Sequence, residues 1–225
     1  MNRKENFTKE QKIITSFIGL SVDIFVSHYN FRKLFEDERT HALLKSTASD
    51  FFHFLNELLI NDFFLKTARL LEGQNFKDDK NITVDLIVNL SIWNDEQKTA
   101  LYEYKNVFDG FYKKIKKARS KIIAHNDLKI YEDDSIEFLG EFEVGLDQEF
   151  INALEQFCNY IHKEVFGEIW GEFVPSSPTD VQELIGYLYR GEVFHQVIED
   201  HTVSVDVKTD LMQRLIKLQR RNDER

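Results

Sequence analysis

Apolar residues recur at helical spacing along most of the chain, and the breaks between these stretches outline its elements. From about Lys9 to Tyr29, Ile13, Ile14, Phe17, Ile18, Val22, Phe25 and Val26 predict an amphipathic helix facing a core on one side only. From about Thr40 to Leu71 there is no Gly or Pro, and Leu43, Leu44, Phe51, Phe52, Leu55, Leu58, Leu59, Phe63, Leu70 and Leu71 spread around most of the helical circumference. That spread predicts a central helix buried on more than one side. Gly73 stops it, a polar loop from Gln74 to Asn81 follows, and Thr83 to Leu90 suits a short helix.

Asn94 or Asp95 is placed to cap the next helix, which carries acidic residues in its first turn and cations in its last, as the helix dipole favours. It is expected to run to about Ala124, with Val107, Phe108, Phe111, Ile115, Ala118 and Ile122 as its core stripe and Asn126 as a left-handed C-cap. Leu128 to Leu139 has some strand character, with Asp133-Asp134-Ser135 as a turn, and reads equally as a loop. A further amphipathic helix spans about Asp147 to Ile169. The run Pro175-Ser176-Ser177-Pro178 holds both prolines and breaks the pattern. Beyond it, Thr179 is a candidate cap for a helix carrying Val181, Leu184, Ile185, Leu188 and Tyr189, and a last helix lies around Leu211 to Leu218. The expected architecture is all-α: a bundle of four to five helices over residues 1–174, with a C-terminal helical appendage over 175–225.

Composition narrows the class. At 225 residues, with 42% hydrophobic content and 20 Phe, the chain can bury one good core, or a core plus an appendage. A net charge of -10 opposes non-specific coating of nucleic acid, so any such contact must be local. The single cysteine, Cys158, excludes an internal disulfide and a cysteine-based zinc site; on an apolar helix face it reads as core. No apolar run reaches transmembrane length, and Met1 to Lys12 lacks a signal-peptide core. The expectation is a cytoplasmic protein without membrane association.

Against this acidic background, six cations occupy the nine positions from Lys113 to Lys121, and His125 and Asp127 follow closely. An arginine that holds a phosphate and a histidine that moves protons near neutral pH are the minimum parts for metal-free phosphodiester cleavage. The plainer reading of Arg119 and His125 is a solvated helix end. Lys113, Lys114, Lys116, Lys117 and Lys121 read either as a solubilising face that complements the dipole or as an RNA-steering surface. Arg69, amid apolar residues, reads as a structural ion-pair partner, with a second cation for a cleft as the alternative. His162 with Glu164 and Glu168 lacks metal-ligand spacing. Ser120, His125 and Asp127 lie too close together, without a nucleophile elbow, for a hydrolase triad. No glycine-rich phosphate loop is visible.

The run Arg119-Ser120-Lys121-Ile122-Ile123-Ala124-His125-Asn126-Asp127 resembles the signature of the HEPN superfamily, in which four to six residues separate Arg and His; here five intervene. It is similar in particular to the branch of U-type phage abortive-infection (AbiU-like) proteins, where an Arg-x-Lys-x-x-Ala-His-x-Asp pattern closes a long helix. Asn61-Asp62-Phe63-Phe64-Leu65, Ala68-Arg69-Leu70-Leu71 and Asn81-Ile82-Thr83 extend the resemblance, which covers about Leu55 to Ile130 at residue level.

The resemblance implies a HEPN-type helical bundle that forms a homodimer, with two copies of Arg119 and His125 lining one cleft. It implies metal-independent endoribonuclease chemistry, without cofactor: a ribose 2'-hydroxyl attacks the adjacent phosphate, leaving a cyclic phosphate and a 5'-hydroxyl. Arg119 then stabilises phosphate charge and His125 acts as general acid or base. Ser120, Asn126 and Asp127 support the site, Asp127 as an orienter of the imidazole. The setting is phage defence or a toxin-antitoxin system, with RNA as substrate and an antitoxin protein as a partner. Ser120 departs from the Asn or Asp often found after the family's Arg, and Asp127 stands where the branch silenced by nucleotidyltransferase antitoxins carries Tyr.

Helix geometry adds a constraint of its own. Six steps place Arg119 and His125 about 120° apart around a straight helix and about 9 Å apart along it. Either His125 turns inward at the helix end, or two helices contribute to one site. A second reading is a non-catalytic HEPN dimer that binds a nucleotide, RNA or protein partner. A third is an interaction protein that docks through the appendage.

Overall fold

The computed structural model describes residues 7–73, 75–76, 79–118, 145–172 and 179–223. Seven helices occur among them: α1 (Lys9–Phe35), α2 (Glu38–Leu71), α3 (Val84–Val88), α4 (Asp95–Ala118), α5 (Leu146–Phe166), α6 (Thr179–Glu199) and α7 (Val205–Asp223). The fold is all-α apart from one short ladder. In it β1 (Asn75–Phe76) pairs antiparallel with β2 (Asp79–Lys80), Asn75 opposite Lys80 and Phe76 opposite Asp79. This ladder replaces the simple polar loop expected there; two residue pairs are too short to leave a period-two signal. The expected segment Leu128 to Leu139 lies outside the described residues.

Local signals account for the helix starts. Thr8 and Gln11 form a reciprocal capping box ahead of α1: the Gln11 N–H donates to Thr8 Oγ1 (3.2 Å) and the Thr8 N–H to Gln11 Oε1 (3.0 Å). Asn94 and Gln97 repeat the device ahead of α4, at 2.8 and 2.9 Å. Thr83 caps α3 by accepting from the Leu86 N–H. Glycines at positive φ bracket α5, Gly145 (92°) before it and Gly167 (80°) after it, a conformation that costs other residues energy.

The protein forms two compact units. The first comprises Met1–Arg32 with Phe54–Ser176. Its core draws Ile14, Phe17 and Phe25 from α1, Phe63, Phe64 and Leu70 from α2, Ile87 from α3, Leu101, Phe108 and Ile115 from α4, and Phe150, Leu154 and Phe157 from α5. Aromatic rings set the α4–α5 contact. Phe111 stacks on Phe150 (4.4 Å between centroids, 11° between planes), and Phe108 meets Phe150 and Phe157 edge-on at 5.8 and 5.4 Å. Trp93 is buried with its indole N–H donating to the Ile87 carbonyl (2.6 Å). Lys105 joins α3 to α4 by pairing with Asp85 (3.2 Å) and Asp109 (2.7 Å). Partial burial pulls its pKa down, but these carboxylates outweigh that and raise it. Cys158 is fully buried among these helices and its thiol is pushed up to about 12, chiefly by burial, which makes it a core residue.

The second unit comprises Lys33–His53 with Ser177–Arg225. Leu34, Leu43, Leu44, Phe52 and Val181 are buried in it, and the Arg39 guanidinium lies 4.8 Å over the Tyr189 ring. Asp37 starts α2, accepting from the Thr40 N–H (2.7 Å) and hydroxyl (2.8 Å), and these bonds hold its carboxyl below the usual range.

Three helices differ from expectation. Helix α1 runs on to Phe35, because nothing in residues 30–35 stops it. Helix α7 begins at Val205, six residues before the apolar positions that announce it. In α2, the absence of Gly and Pro predicts a continuous helix, yet Ala48 leaves the helical region (φ -157°, ψ 74°). Just before this break, the hydroxyls of Ser46 and Thr47 both donate to the Leu43 carbonyl, competing with the backbone for it. Nor is α2 covered all round: Phe51, Phe54 and Leu58 are 60%, 61% and 50% exposed. An apolar face records what a helix presents, not whether another element covers it. Val26 and Val107, placed in core stripes by spacing, are likewise exposed.

Candidate functional site

Arg119, Ser120, Lys121, His125, Asn126 and Asp127 lie outside the described residues. The structure does describe the helix that leads to them. Helix α4 is continuous to Ala118, the residue before Arg119. Its inner face is fixed by Leu101, Phe108, Phe111 and Ile115, all buried, while Lys113, Lys114 and Lys116 are exposed. The side chain of Lys117 lies outside the described set. The one buried position among the lysines, Ile115, shows how the basic run keeps its helical register: the apolar stripe continues through it every three or four residues. A backbone anchored by ring packing on α5 therefore delivers at least three cations to solvent within two turns of Ala118.

A second titratable pair was not legible in the sequence. His28 on α1 and Asp147 in the first turn of α5 meet at 2.7 Å, the imidazole Nε2–H donating to Oδ2. His28 is buried and its ring lies 5.5 Å from that of Phe63. The hydrogen bond from His28 is the main cause of a lowered Asp147 pKa. Arg32, one helical turn beyond His28, donates to Gln148 Oε1 beside it. Together these contacts fasten the start of α5 to α1, and the separation of 119 residues explains why no local pattern announced them.

Linkage gives this pair a direction. A carboxyl whose folded pKa lies below its unfolded value near 3.8 contributes stability above that value and loses it as pH falls through the folded pKa. Wild-type protein should exceed Asp147→Ala by about 1–3 kcal/mol near neutrality, because the variant leaves a buried imidazole N–H unpaired. The gap should narrow as urea unfolding is repeated from pH 5 down to pH 2. A gap independent of pH would mean that the carboxylate charge contributes nothing.

A polar network sits where α1 faces α2. Lys66 Nζ donates to Asp62 Oδ2 (2.6 Å) and Ser27 Oγ (2.8 Å), and the Ser27 hydroxyl donates to Asp62 (2.6 Å). One turn along α2, Arg69 is exposed, and no partner for the structural pairing expected of it lies among the described residues. The helix turns Arg69 away from the faces carrying the buried Ala68 and Leu70. His162 is accounted for structurally: its Nδ1 bonds to the Glu168 carbonyl (2.7 Å) and its ring stacks on Phe166 (4.6 Å). Among the described residues, no three His, Cys, Asp or Glu side chains are grouped to hold a metal, and no helix is long and apolar enough to cross a membrane.

The helical architecture agrees with what comparison of the whole sequence finds. No curated protein and no solved structure matches the chain. A family model described as AbiU2, within the HEPN group, matches residues 11–187, a span that runs from α1 through Arg119 and His125 into α6. The chain belongs to the HEPN family AbiU2.

Proposed function

We propose that this protein is a metal-independent endoribonuclease of abortive infection or of a toxin-antitoxin system, acting as a homodimer. The observation that carries the reading is the family match across residues 11–187, a span within which Arg119 and His125 fall. Family membership supports a HEPN-type role in abortive infection in broad terms, and HEPN domains generally dimerise. The exposed lysines at the end of α4 support local attraction of RNA to this point of an otherwise acidic protein. In the proposed reaction a ribose 2'-hydroxyl attacks the neighbouring phosphorus as His125 manages the proton. Arg119 stabilises charge on the phosphate oxygens. The P–O5' bond breaks, giving a 2',3'-cyclic phosphate and a 5'-hydroxyl. Asp127 orients the imidazole, Ser120 and Asn126 complete the site, and an antitoxin protein restrains it in a cytoplasmic setting.

The test is incubation of total RNA with pure protein in EDTA and examination of the fragment ends. Cyclic-phosphate ends are expected; absence of cleavage by folded dimer would overturn the reading. A second reading, favoured by the net charge of -10 and by Ser120 after the motif arginine, is a non-catalytic dimer that binds a nucleotide, RNA or protein. It expects Arg119→Ala to weaken binding with no turnover in wild type.

A further inference from the structure

A cavity of about 510 Å³ lies on the solvent side of the Lys66 network, within the first unit. Its wall brings charges of both signs, Asp23 of α1, Lys66 and Arg69 of α2 and Glu72, together with the apolar side chains of Leu20 and Ile82. The size suits a small molecule.

The state of the polar groups indicates what that molecule must supply. Lys66 has three donors and spends two on Asp62 and Ser27, so its ammonium is held in place with one donor remaining. Arg69 has five donors and no hydrogen bond or ion pair among the described residues. Its planar fork matches a carboxylate or phosphate. On the other side, the Asp23 carboxylate has no ion pair among the described residues. The cavity thus presents an uncommitted cation and an uncommitted anion without letting them neutralise each other. A phosphate chain would meet Asp23 and Glu72 along with the cations, which disfavours an RNA strand here.

We infer that this cavity binds a small zwitterion: an anionic carboxylate or phosphate held by Arg69 and Lys66, a protonated amine held by Asp23, and an apolar middle against Leu20 and Ile82. This site is separate from Arg119 and His125 and does not rest on the nuclease reading.

The full chain would be titrated calorimetrically with 6-aminohexanoate, O-phosphoethanolamine and inorganic phosphate. One of the two zwitterions should bind saturably and at least tenfold more tightly than inorganic phosphate; which one does so identifies the anionic group. Arg69→Ala should abolish that binding. Asp23→Asn should weaken the zwitterion at least tenfold while leaving inorganic phosphate unchanged. Both residues are exposed, so both variants should keep the wild-type circular dichroism and melting temperature. Binding should persist in His125→Ala, which separates this result from any failure of cleavage. No binding of either zwitterion to folded protein would overturn the inference, as would full binding by Arg69→Ala. So would phosphate bound as tightly as the zwitterions with no effect of Asp23→Asn, since that result describes a simple anion site.

Discussion

His125→Ala is expected to lower RNA cleavage by about 10²–10⁴-fold, the usual contribution of a positioned acid or base. The melting temperature should stay close to that of wild type. The first part follows from the proposed proton transfer, which alanine cannot perform. The second is expected because the described core of the first unit draws on Phe17, Phe63, Phe108, Phe150, Phe157 and their neighbours. Arg119→Ala should have a comparable effect, through lost charge stabilisation at the phosphate. Mixing the two inactive variants then separates the alternatives left by helix geometry. If one site takes Arg119 from one protomer and His125 from its partner, mixed dimers regain an intact site and part of the activity. If His125 turns inward beside Arg119 on its own helix, mixing restores nothing. Cleavage by His125→Ala at the wild-type rate would remove this residue from the mechanism.

Phe157→Ala is expected to destabilise the protein by about 3–5 kcal/mol, the range for deleting a buried aromatic ring. Phe157 is fully buried and lies edge-on to Phe17 of α1 (5.5 Å), Phe108 of α4 (5.4 Å) and Tyr104 of α4 (5.7 Å). Truncation therefore removes contacts to two helices at once and leaves a cavity that rigid ring neighbours refill poorly. The midpoint of urea unfolding should fall accordingly, and a chain of this size should melt on the order of 10 °C lower. The control is Phe54→Ala. That ring is 61% exposed, so its loss should change stability by no more than about 0.5 kcal/mol. Equal losses from the two substitutions would contradict the placement of the core. Phe157→Ala should also loosen the support of α4, and so reduce any cleavage that depends on the position of its basic end.

Much of the architecture was legible along the chain. The cap at Asn94, the stripe of Phe108, Phe111 and Ile115, and the solvent exposure of Lys113, Lys114 and Lys116 all follow from interactions within a few residues. Membership of the HEPN family AbiU2 was legible too: the resemblance read from short runs of residues and from the helical pattern agrees with the family match over residues 11–187. What failed were statements about coverage and continuity. Phe51 and Leu58 look like core positions by spacing, and Ala48 looks like a helix interior, yet the first two are exposed and the third breaks the helix.

The sequence by itself determined the all-α class and the approximate place of the described helices, since helix periodicity and caps depend on neighbours within one or two turns. Only the tertiary structure decided that residues 33–53 group with residues 177–225, that His28 finds Asp147, and that Asp23, Lys66 and Arg69 line one cavity. The physical reason is the same in each case. These partners are brought together by the burial of apolar faces from distant helices, and that burial is a property of the packed chain rather than of any local stretch.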